Sequence, residues 1–297
     1  MGANISGWVI LDKDSGMFSR TAGGRVARLF GVKKFGHIGT LDPMASGVLP
    51  IALGGATKMI PYLEEREDAT PKEYLFSMIF GPETTTLDIT GVPVRVGGRT
   101  PDEDTVRAAL PRFVGDFMQT PPAFSAVHVD GARAYDLARR GIDVAVPPRR
   151  VYIDRLEYTG RNGNSWCFRV TCSRGTYVRS LARDIAAQCG TIATVDMIRR
   201  VRGGIFDIKN AVKLDFLESL VNNGGDIRQY LMSADYGLAD IPVLVLPGAA
   251  AERYAIGASV KTEQSTVQNG VVRVHRDGEF IGLGTVRDGV LMPKRIL

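Results

Sequence analysis

The stretch GHIGTLDPMASGVLPIALGGATK, from Gly36 to Lys58, is the most informative part of the chain. It places one acid, Asp42, among glycines, a proline and small residues, just before the apolar run VLPIAL at 48–53. Pro43 pushes the backbone of Asp42 towards an extended conformation, and the glycines allow close approaches that a β-carbon would block. We therefore expect Asp42 on a rigid turn, and residues 48–53 as a buried strand or short core segment.

From the acid and the glycines alone, two interpretations of Asp42 are open. Asp often caps a turn by accepting hydrogen bonds from nearby backbone N–H groups, and this is the simpler interpretation. A carboxylate held on a stiff loop against a core can instead serve as a nucleophile, because its position is fixed.

The composition bounds the class of protein. With 297 residues, 44% of them apolar and 23% charged, the chain resembles soluble globular proteins. Its length suits one large domain, or one large and one small domain. No stretch approaches the roughly 20 apolar residues of a membrane span. The N-terminal residues lack the basic and apolar regions of a signal peptide, so we expect a cytoplasmic protein.

The chain offers few metal ligands. Its three cysteines, Cys167, Cys172 and Cys189, have no C-x-x-C spacing, and it has three histidines. A structural zinc site needs clustered ligands, and a metal hydrolase needs paired His and acid ligands at suitable spacing. The sequence therefore predicts no metal site, and we interpret the cysteines as buried small side chains in a reducing compartment.

The net charge of +5 is modest, but the basic residues are clustered. Any one pair alone is explained by a solvated surface. Together, because they flank the candidate site in the sequence, the basic residues favour a face that binds phosphate groups. They are Lys33–Lys34, Arg133, Arg139–Arg140, Arg149–Arg150, Arg174, Arg179, Arg183, Arg199–Arg200 and Arg202.

Two further blocks stand out. The first is QTPPAFSAVHVDGARAYDLAR, from Gln119 to Arg139, and the second is CSRGTYVRSL, from Cys172 to Leu181. The second predicts a strand, a tight turn and the start of a helix, which places Arg179 in the first helical turn. A cation is electrostatically unfavourable there, and such a local conflict indicates a functional demand.

Periodicity and turn residues predict the remaining elements. Strands are predicted at 8–11, 72–80, 151–158 and 166–172. Ser19 and Thr100 are predicted N-caps, the latter with Pro101 at the first helical position, and 212–221 is a predicted amphipathic helix. Near the C-terminus, Asp-Gly pairs at 277–278 and 288–289 predict hairpins between strand-like runs.

The blocks closely resemble the catalytic motifs of the TruB family, the tRNA pseudouridine synthases that act on uridine 55 of the T-loop. Two departures stand out: Asp14 replaces the usual proline of the Lys-Pro-x-Gly turn, and His128 replaces a usual lysine. In the main stretch the matching residues are Gly36–His37, Gly39–Pro43, Ser46–Gly47, Leu49–Pro50, Gly54 and Ala56–Lys58.

This resemblance implies an α+β protein with the pseudouridine synthase fold: a central mixed, mostly antiparallel β-sheet flanked by helices and loops. It implies a catalytic domain at 1–238, with an RNA-binding thumb segment at about 119–150. The last part, 239–297, more loosely resembles a small PUA-like β domain that binds RNA.

The resemblance also implies roles for individual residues. Asp42 is the implied nucleophile, Arg179 the active-site arginine that pairs with it, and Tyr74 the residue that stacks on the base. His37 matches the position that inserts into the T-loop. The other residues implied to bind substrate or RNA are Lys13, Tyr177, Ile198, Arg139, Arg140 and Lys58.

The implied activity is isomerisation of uridine 55 to pseudouridine after the base flips out of the T-loop. The implied partner is the tRNA T-arm, with no cofactor, no membrane and no protein partner, and the chain is expected to be a monomer. Attack by Asp42 on C1′, attack on the base, and a route through a glycal remain open. Two alternatives are a guide-RNA-dependent pseudouridine synthase and a non-catalytic protein that binds or folds tRNA.

Overall fold

The computed structural model describes residues 5–65, 71–125, 127–129, 131–142, 145–262 and 269–297. Its helices are α1 (Ser19–Leu29), α2 (Ile60–Glu64), α3 (Glu103–Ala109), α4 (Ala134–Arg139), α5 (Val178–Gln188), α6 (Leu214–Asn222) and α7 (Gly248–Ala255). Its strands are β1 (Gly7–Lys13), β2 (Phe35–His37), β3 (Ser46–Leu53), β4 (Lys72–Phe80), β5 (Pro82–Thr84), β6 (Pro93–Val96), β7 (Gly115–Gln119), β8 (His128–Val129), β9 (Ala132–Arg133), β10 (Arg149–Asn162), β11 (Ser165–Cys172), β12 (Ala193–Gly203), β13 (Phe206–Asp207), β14 (Val212–Lys213), β15 (Val243–Val245), β16 (Val260–Lys261), β17 (Asn269–Arg276), β18 (Glu279–Arg287) and β19 (Val290–Ile296).

The central sheet runs β14-β1-β3-β12-β4-β11-β10-β7, with β2 and β13 attached to β3 and β12. The β1–β14 and β3–β12 pairs are parallel, and the other pairs are antiparallel. Strands β1 and β3 are almost entirely buried, because a strand covered on both faces carries a continuous apolar run. The expected α+β fold with a mixed, mostly antiparallel sheet is confirmed, as is the buried strand at 48–53.

A close approach fixes how β3 meets β12. Gly47 has φ of +102°, and a β-carbon built on it would lie 2.1 Å from the main-chain oxygen of Arg200. No other residue type fits there without a shift of the backbone. This contact joins the strand that follows Asp42 to the strand that carries Ile198.

Three predictions at helix starts were wrong. Phe18, rather than Ser19, is the N-cap of α1, because the Ser19 hydroxyl is bonded to the distant Leu41 instead. Asp102 caps α3, since its carboxylate is free to accept the Thr105 N–H. Helix α6 begins after 212–213, because these two residues extend the sheet as β14 beside β1.

The second sheet runs β15-β17-β18-β19-β16. Both predicted hairpins are confirmed: Asp277 and Gly278 have φ of 51° and 82°, and Asp288 and Gly289 have φ of 47° and 72°. Two consecutive positive φ angles are what a two-residue type I′ turn requires. The division into domains at residue 239 stays a prediction. Among the described residues, none of the helices is long and apolar enough to cross a membrane.

Candidate active site

Asp42 lies in the loop between β2 and β3, and its side chain is 39% exposed. The loop is held from behind by residues that follow β1. The buried Ser19 hydroxyl donates to the Leu41 carbonyl at 2.9 Å and accepts from the Leu41 N–H at 3.0 Å. On the other side of Asp42, the Gly16 N–H donates to the Pro43 carbonyl at 2.8 Å. The backbone on both sides of the carboxylate is therefore fixed, as expected for a rigid turn.

Lys13 belongs to the same support. It is 1% exposed, and its ammonium donates to the carbonyl oxygens of Asp14, Met17 and Pro43 at 2.9, 2.8 and 3.3 Å. Burial lowers the pKa of Lys13 to about 8, against the opposing effect of Asp14 and Asp42. In the free protein Lys13 thus supports the loop of Asp42, and its implied RNA-binding role stays a prediction.

Arg179 is 3% exposed and reaches Asp42 from the first turn of α5. Its Nε lies 2.8 Å from Oδ2 of Asp42, although the N–H does not point along a hydrogen bond, so the contact is an ion pair. Its two other nitrogens donate to the carbonyls of Thr86 at 2.8 Å and Phe124 at 3.0 Å. The unfavourable position of this cation at a helix N-terminus is thus offset by one carboxylate and two carbonyl oxygens.

A second acid, Asp88, lies on the far side of Arg179. Its Oδ2 is 3.8 Å from Nη1 of Arg179, and its side chain is 5% exposed. Oδ1 of Asp88 accepts hydrogen bonds from the hydroxyls of Thr86 and Thr90 and from the Thr90 N–H. The buried cation is thus flanked by Asp42, which faces outwards, and by Asp88, which the threonine-rich loop holds in place.

The start of α5 is itself held by Gln119 at the end of β7. Gln119 is fully buried, donates to the Tyr177 carbonyl at 3.2 Å and accepts from the Tyr177 N–H at 2.8 Å. These bonds satisfy both main-chain groups of the residue before the helix. Gln119, the first residue of the block 119–139, therefore fixes the position of Arg179.

A cavity of about 200 Å³ opens beside Asp42. Tyr74 of β4 is 8% exposed and Ile198 of β12 is 4% exposed, and both line it. Tyr177 forms part of the opposite wall, with the guanidinium of Arg149 4.6 Å from its ring centroid. The lining residues are Gly39, Thr40, Leu41, Asp42, Ala45, Lys72, Tyr74, Arg149, Gly175, Thr176, Tyr177, Val178, Ile198 and Arg200.

His37 ends β2 beside the loop, with Nε2 3.1 Å from the Thr40 hydroxyl. Burial lowers its pKa, and the nearby cations Arg200 and Arg20 lower it further. A neutral imidazole is therefore favoured in the free protein.

Of three further residues implied to contact RNA, two do not line the cavity and the side chain of the third is not among those that the structure describes. Lys58 donates to the Ile296 carbonyl at 2.7 Å and does not line the cavity. Arg140 is exposed after α4. The side chain of Arg139 lies outside the described residues, as does that of His128. Their roles stay predictions.

The sequence analysis missed three polar groups at the cavity. Lys72 could have been found, because it lies two residues before Tyr74 and successive same-face residues of a strand are two apart. Arg200 is 1% exposed and donates to the carbonyls of Val48 and Gly39, both at 2.7 Å. Arg149 and Arg200 were recognised only as members of basic clusters.

The described residues hold no group of three or more His, Cys, Asp or Glu side chains that could bind a metal ion. The cavity is lined by one acidic side chain, by aromatic and aliphatic walls, and by the basic side chains of Lys72, Arg149 and Arg200. This arrangement can hold a flat, polar group against a carboxylate.

The chain is similar to known proteins over most of its length. Residues 27–178 match the model of the TruB family pseudouridylate synthase N-terminal domain, and residues 242–297 match that of the pseudouridine synthase II TruB C-terminal domain. The tRNA pseudouridine synthase B of Gluconacetobacter diazotrophicus is 40% identical over 305 residues, covering 100% of this chain and 98% of that protein. That of a Chelativorans species is 39% identical, covering 99% and 96%.

Solved structures show the same fold. A chain from an H/ACA RNP bound to a substrate RNA containing 2′-deoxyuridine superposes with a TM-score of 0.65 at 21% identity, covering 98% of this chain and 84% of that one. At that identity the likeness shows the fold alone. The sequence matches span both ends of the chain and include the loop of Asp42. Because of these matches, the chain belongs to the TruB family of pseudouridylate synthases.

Proposed function

We propose that this protein isomerises uridine 55 in the T-loop of tRNA to pseudouridine, with Asp42 as the nucleophile. The observation that carries the proposal is the ion pair of Asp42 with the buried Arg179 at the edge of a base-sized cavity. The cavity, about 200 Å³, is smaller than the roughly 300–1,000 Å³ of sites for drug-sized ligands, which suits a single base. The names of the relatives supply the tRNA substrate.

The reaction breaks the N1–C1′ bond, turns the base and forms a C5–C1′ bond. The C5 proton leaves to solvent and N1 takes up a proton, so the product is an isomer of the substrate. No electrons are gained or lost, so we propose that no cofactor takes part. Asp42 supplies the nucleophilic oxygen, and Arg179 keeps that carboxylate paired and aimed at the cavity.

Other lining residues hold the base. A base inside the T-loop must leave its stack before it can react, at a cost of a few kcal/mol. Tyr74 lies where it can stack on the extruded base, which is worth roughly 1–3 kcal/mol. Its hydroxyl can relay the C5 proton to solvent by giving up its own proton as it takes that one. We assign the vacated place in the loop to His37, and the apolar wall to Ile198 and Tyr177.

We propose separate roles for three parts of the chain. We propose that residues 1–238 catalyse the reaction, that the thumb segment at about 119–150, with Arg139 and Arg140, grips the T-arm, and that the PUA-like part at 239–297 binds RNA. We further propose that the protein acts in the cytoplasm, where tRNA is modified, as a monomer without protein partners. Light scattering of the purified protein, free and with tRNA, tests the last point.

The experiment uses tRNA transcripts carrying 5-tritiated uridine and no guide RNA. Wild type is expected to release tritium to water, and the Asp42→Asn variant is expected to bind the tRNA without release. Mapping the modified nucleotide locates the event. Release at another position would overturn the assignment of uridine 55, and absence of release by wild type in molar excess would overturn the reaction itself.

A further inference from the structure

A second cleft, apart from the active site, lies where the turn Gly54–Met59 meets the C-terminal end of the described chain. Its volume is about 620 Å³, and its lining includes four cations from three separate segments. We call these residues the basic cleft: Lys33, Lys34, Lys58 and Arg228. Gly54, Gly55 and Leu297 line the space between them.

Most of this positive charge is unused in the structure. Within the described part of the chain, the exposed side chains of Lys33, Lys34 and Arg228 form no ion pair or hydrogen bond. Lys58 uses one of its three N–H donors on the Ile296 carbonyl. The nearby acid Asp226 accepts from the main-chain N–H of Arg228. Cations gathered without counter-charges attract an anion, because it relieves their mutual repulsion.

The basic cleft is connected to the active site by two antiparallel elements. Helix α1 starts beside the loop of Asp42, and the chain returns through Lys33–Lys34 into β2, which ends at His37. The ring of Phe35 lies against Gly23 of α1, so the two elements are packed side by side. Arg20, at the active-site end, lies close enough to His37 to lower its pKa.

The length of α1 sets the separation of the two sites. Its 11 residues span about 16 Å at 1.5 Å per residue. A strand of a DNA duplex places successive phosphates about 3.4 Å apart along the axis, and we take this spacing as the scale for an RNA stem. An RNA stem whose loop nucleotide occupies the cavity is therefore long enough to bring backbone phosphates to the basic cleft within about five nucleotides.

We propose that the basic cleft binds the phosphodiester backbone of the tRNA whose base enters the active site. This rests on the proposed function, because it needs an RNA substrate. Lysine ammonium groups are mobile point charges that suit phosphates without reading sequence. The cleft would thus fix the direction in which the stem leaves the cavity.

The test measures how the affinity for tRNA depends on salt. Each phosphate contact contributes roughly 0.7–0.9 to the slope of log K against log salt concentration. The double variant Lys33→Gln/Lys34→Gln is expected to reduce the magnitude of the slope by about 1–2. The matched control is Arg99→Gln/Lys209→Gln, which removes the same charge from two exposed residues that lie outside the cleft, the thumb segment and the C-terminal part.

Binding is followed by fluorescence anisotropy of labelled tRNA from about 50 to 200 mM salt, and thermal unfolding establishes that both variants fold. An unchanged slope in the cleft variant, or equal changes in cleft and control variants, overturns the proposal. Tritium release by wild type in the same preparation tests the proposed function separately. If wild type releases tritium but the cleft variant has an unchanged slope, only the proposal for the basic cleft is refuted. If the slope changes but wild type releases no tritium, only the proposed reaction is refuted.

Discussion

The substitution Ser19→Ala tests whether the backbone behind Asp42 matters for catalysis. Ser19 is 3% exposed and does not line the cavity, so it contacts Asp42 only through Leu41. Its hydroxyl is the partner of both main-chain groups of Leu41, which donates at 3.0 Å and accepts at 2.9 Å. Alanine removes the hydroxyl and leaves both groups in a buried place.

The magnitude follows from those two groups. A buried donor or acceptor without a partner costs roughly 1–3 kcal/mol, so we expect the free energy of unfolding to fall by about 2–6 kcal/mol for the two groups. That is a large part of the roughly 5–15 kcal/mol that stabilises a typical domain. If the loop relaxes by about 1 Å at Asp42, the rate of the chemical step falls by on the order of 100-fold.

The assay separates a positioning role from a general loss of stability. Single-turnover tritium release at a temperature where Ser19→Ala is folded is expected to fall at least about 10-fold, with the affinity for tRNA unchanged. The matched control is Ser15→Ala, at an exposed residue of the same segment. It removes a hydroxyl that donates to the Met44 carbonyl at 2.7 Å. A Ser19→Ala rate within twofold of the control's would refute the reasoning.

Three other changes have defined outcomes. Arg179→Lys keeps the charge but replaces three separated nitrogens by one compact ammonium, which does not span Thr86, Phe124 and Asp42 together. Tritium release should therefore fall more than about 100-fold; a rate near wild type would show that charge alone suffices. Lys13 has a folded pKa of about 8, below its ordinary 10.5. The unfolded chain therefore binds more protons between these values, and Lys13 should make the free energy of unfolding rise with pH there, by at most about 3 kcal/mol. Lys13→Met should flatten the dependence of the free energy of unfolding on pH in this range. Identical curves for wild type and variant would contradict the lowered pKa of Lys13. Gly47→Ala places a methyl group 2.1 Å from a main-chain oxygen of β12 and should cost about 3 kcal/mol or more in urea denaturation; Gly160→Ala, at φ of +129° with nothing within 4 Å, controls for backbone strain and should cost less.

Local patterns predicted most of the fold because they depend on neighbouring residues. The hairpins at 277–278 and 288–289 follow from the preference of Asp-Gly for positive φ, and the strand at 48–53 follows from an uninterrupted apolar run. The patterns failed where a distant partner decided the outcome. Ser19 is a residue type that favours the N-cap position, but its hydroxyl is hydrogen-bonded to the distant Leu41.

The candidate site divides in the same way. Asp42 stood out because its loop is a dense motif, and the pairing of Arg179 with it was inferred from the family and from charge. The support that Lys13 gives to the loop of Asp42 was not predicted, because sequence does not reveal that a lysine is surrounded by three carbonyl oxygens. Asp88 was not singled out from the sequence, because its approach to Arg179 depends on how separate elements pack.

The bonds between helix α5 and the chain after β7 have a mechanical consequence. Ser180 and Arg183 donate to the Thr120 carbonyl, and Arg179 donates to that of Phe124. The segment that enters the thumb is thus tied to the helix that carries the cation. When an RNA displaces that segment, it must break these bonds or move Arg179 with it. If residues 119–150 bind the RNA as proposed, RNA binding and the alignment of Arg179 with Asp42 are coupled, and a poorly fitting RNA is expected to leave the two side chains out of alignment.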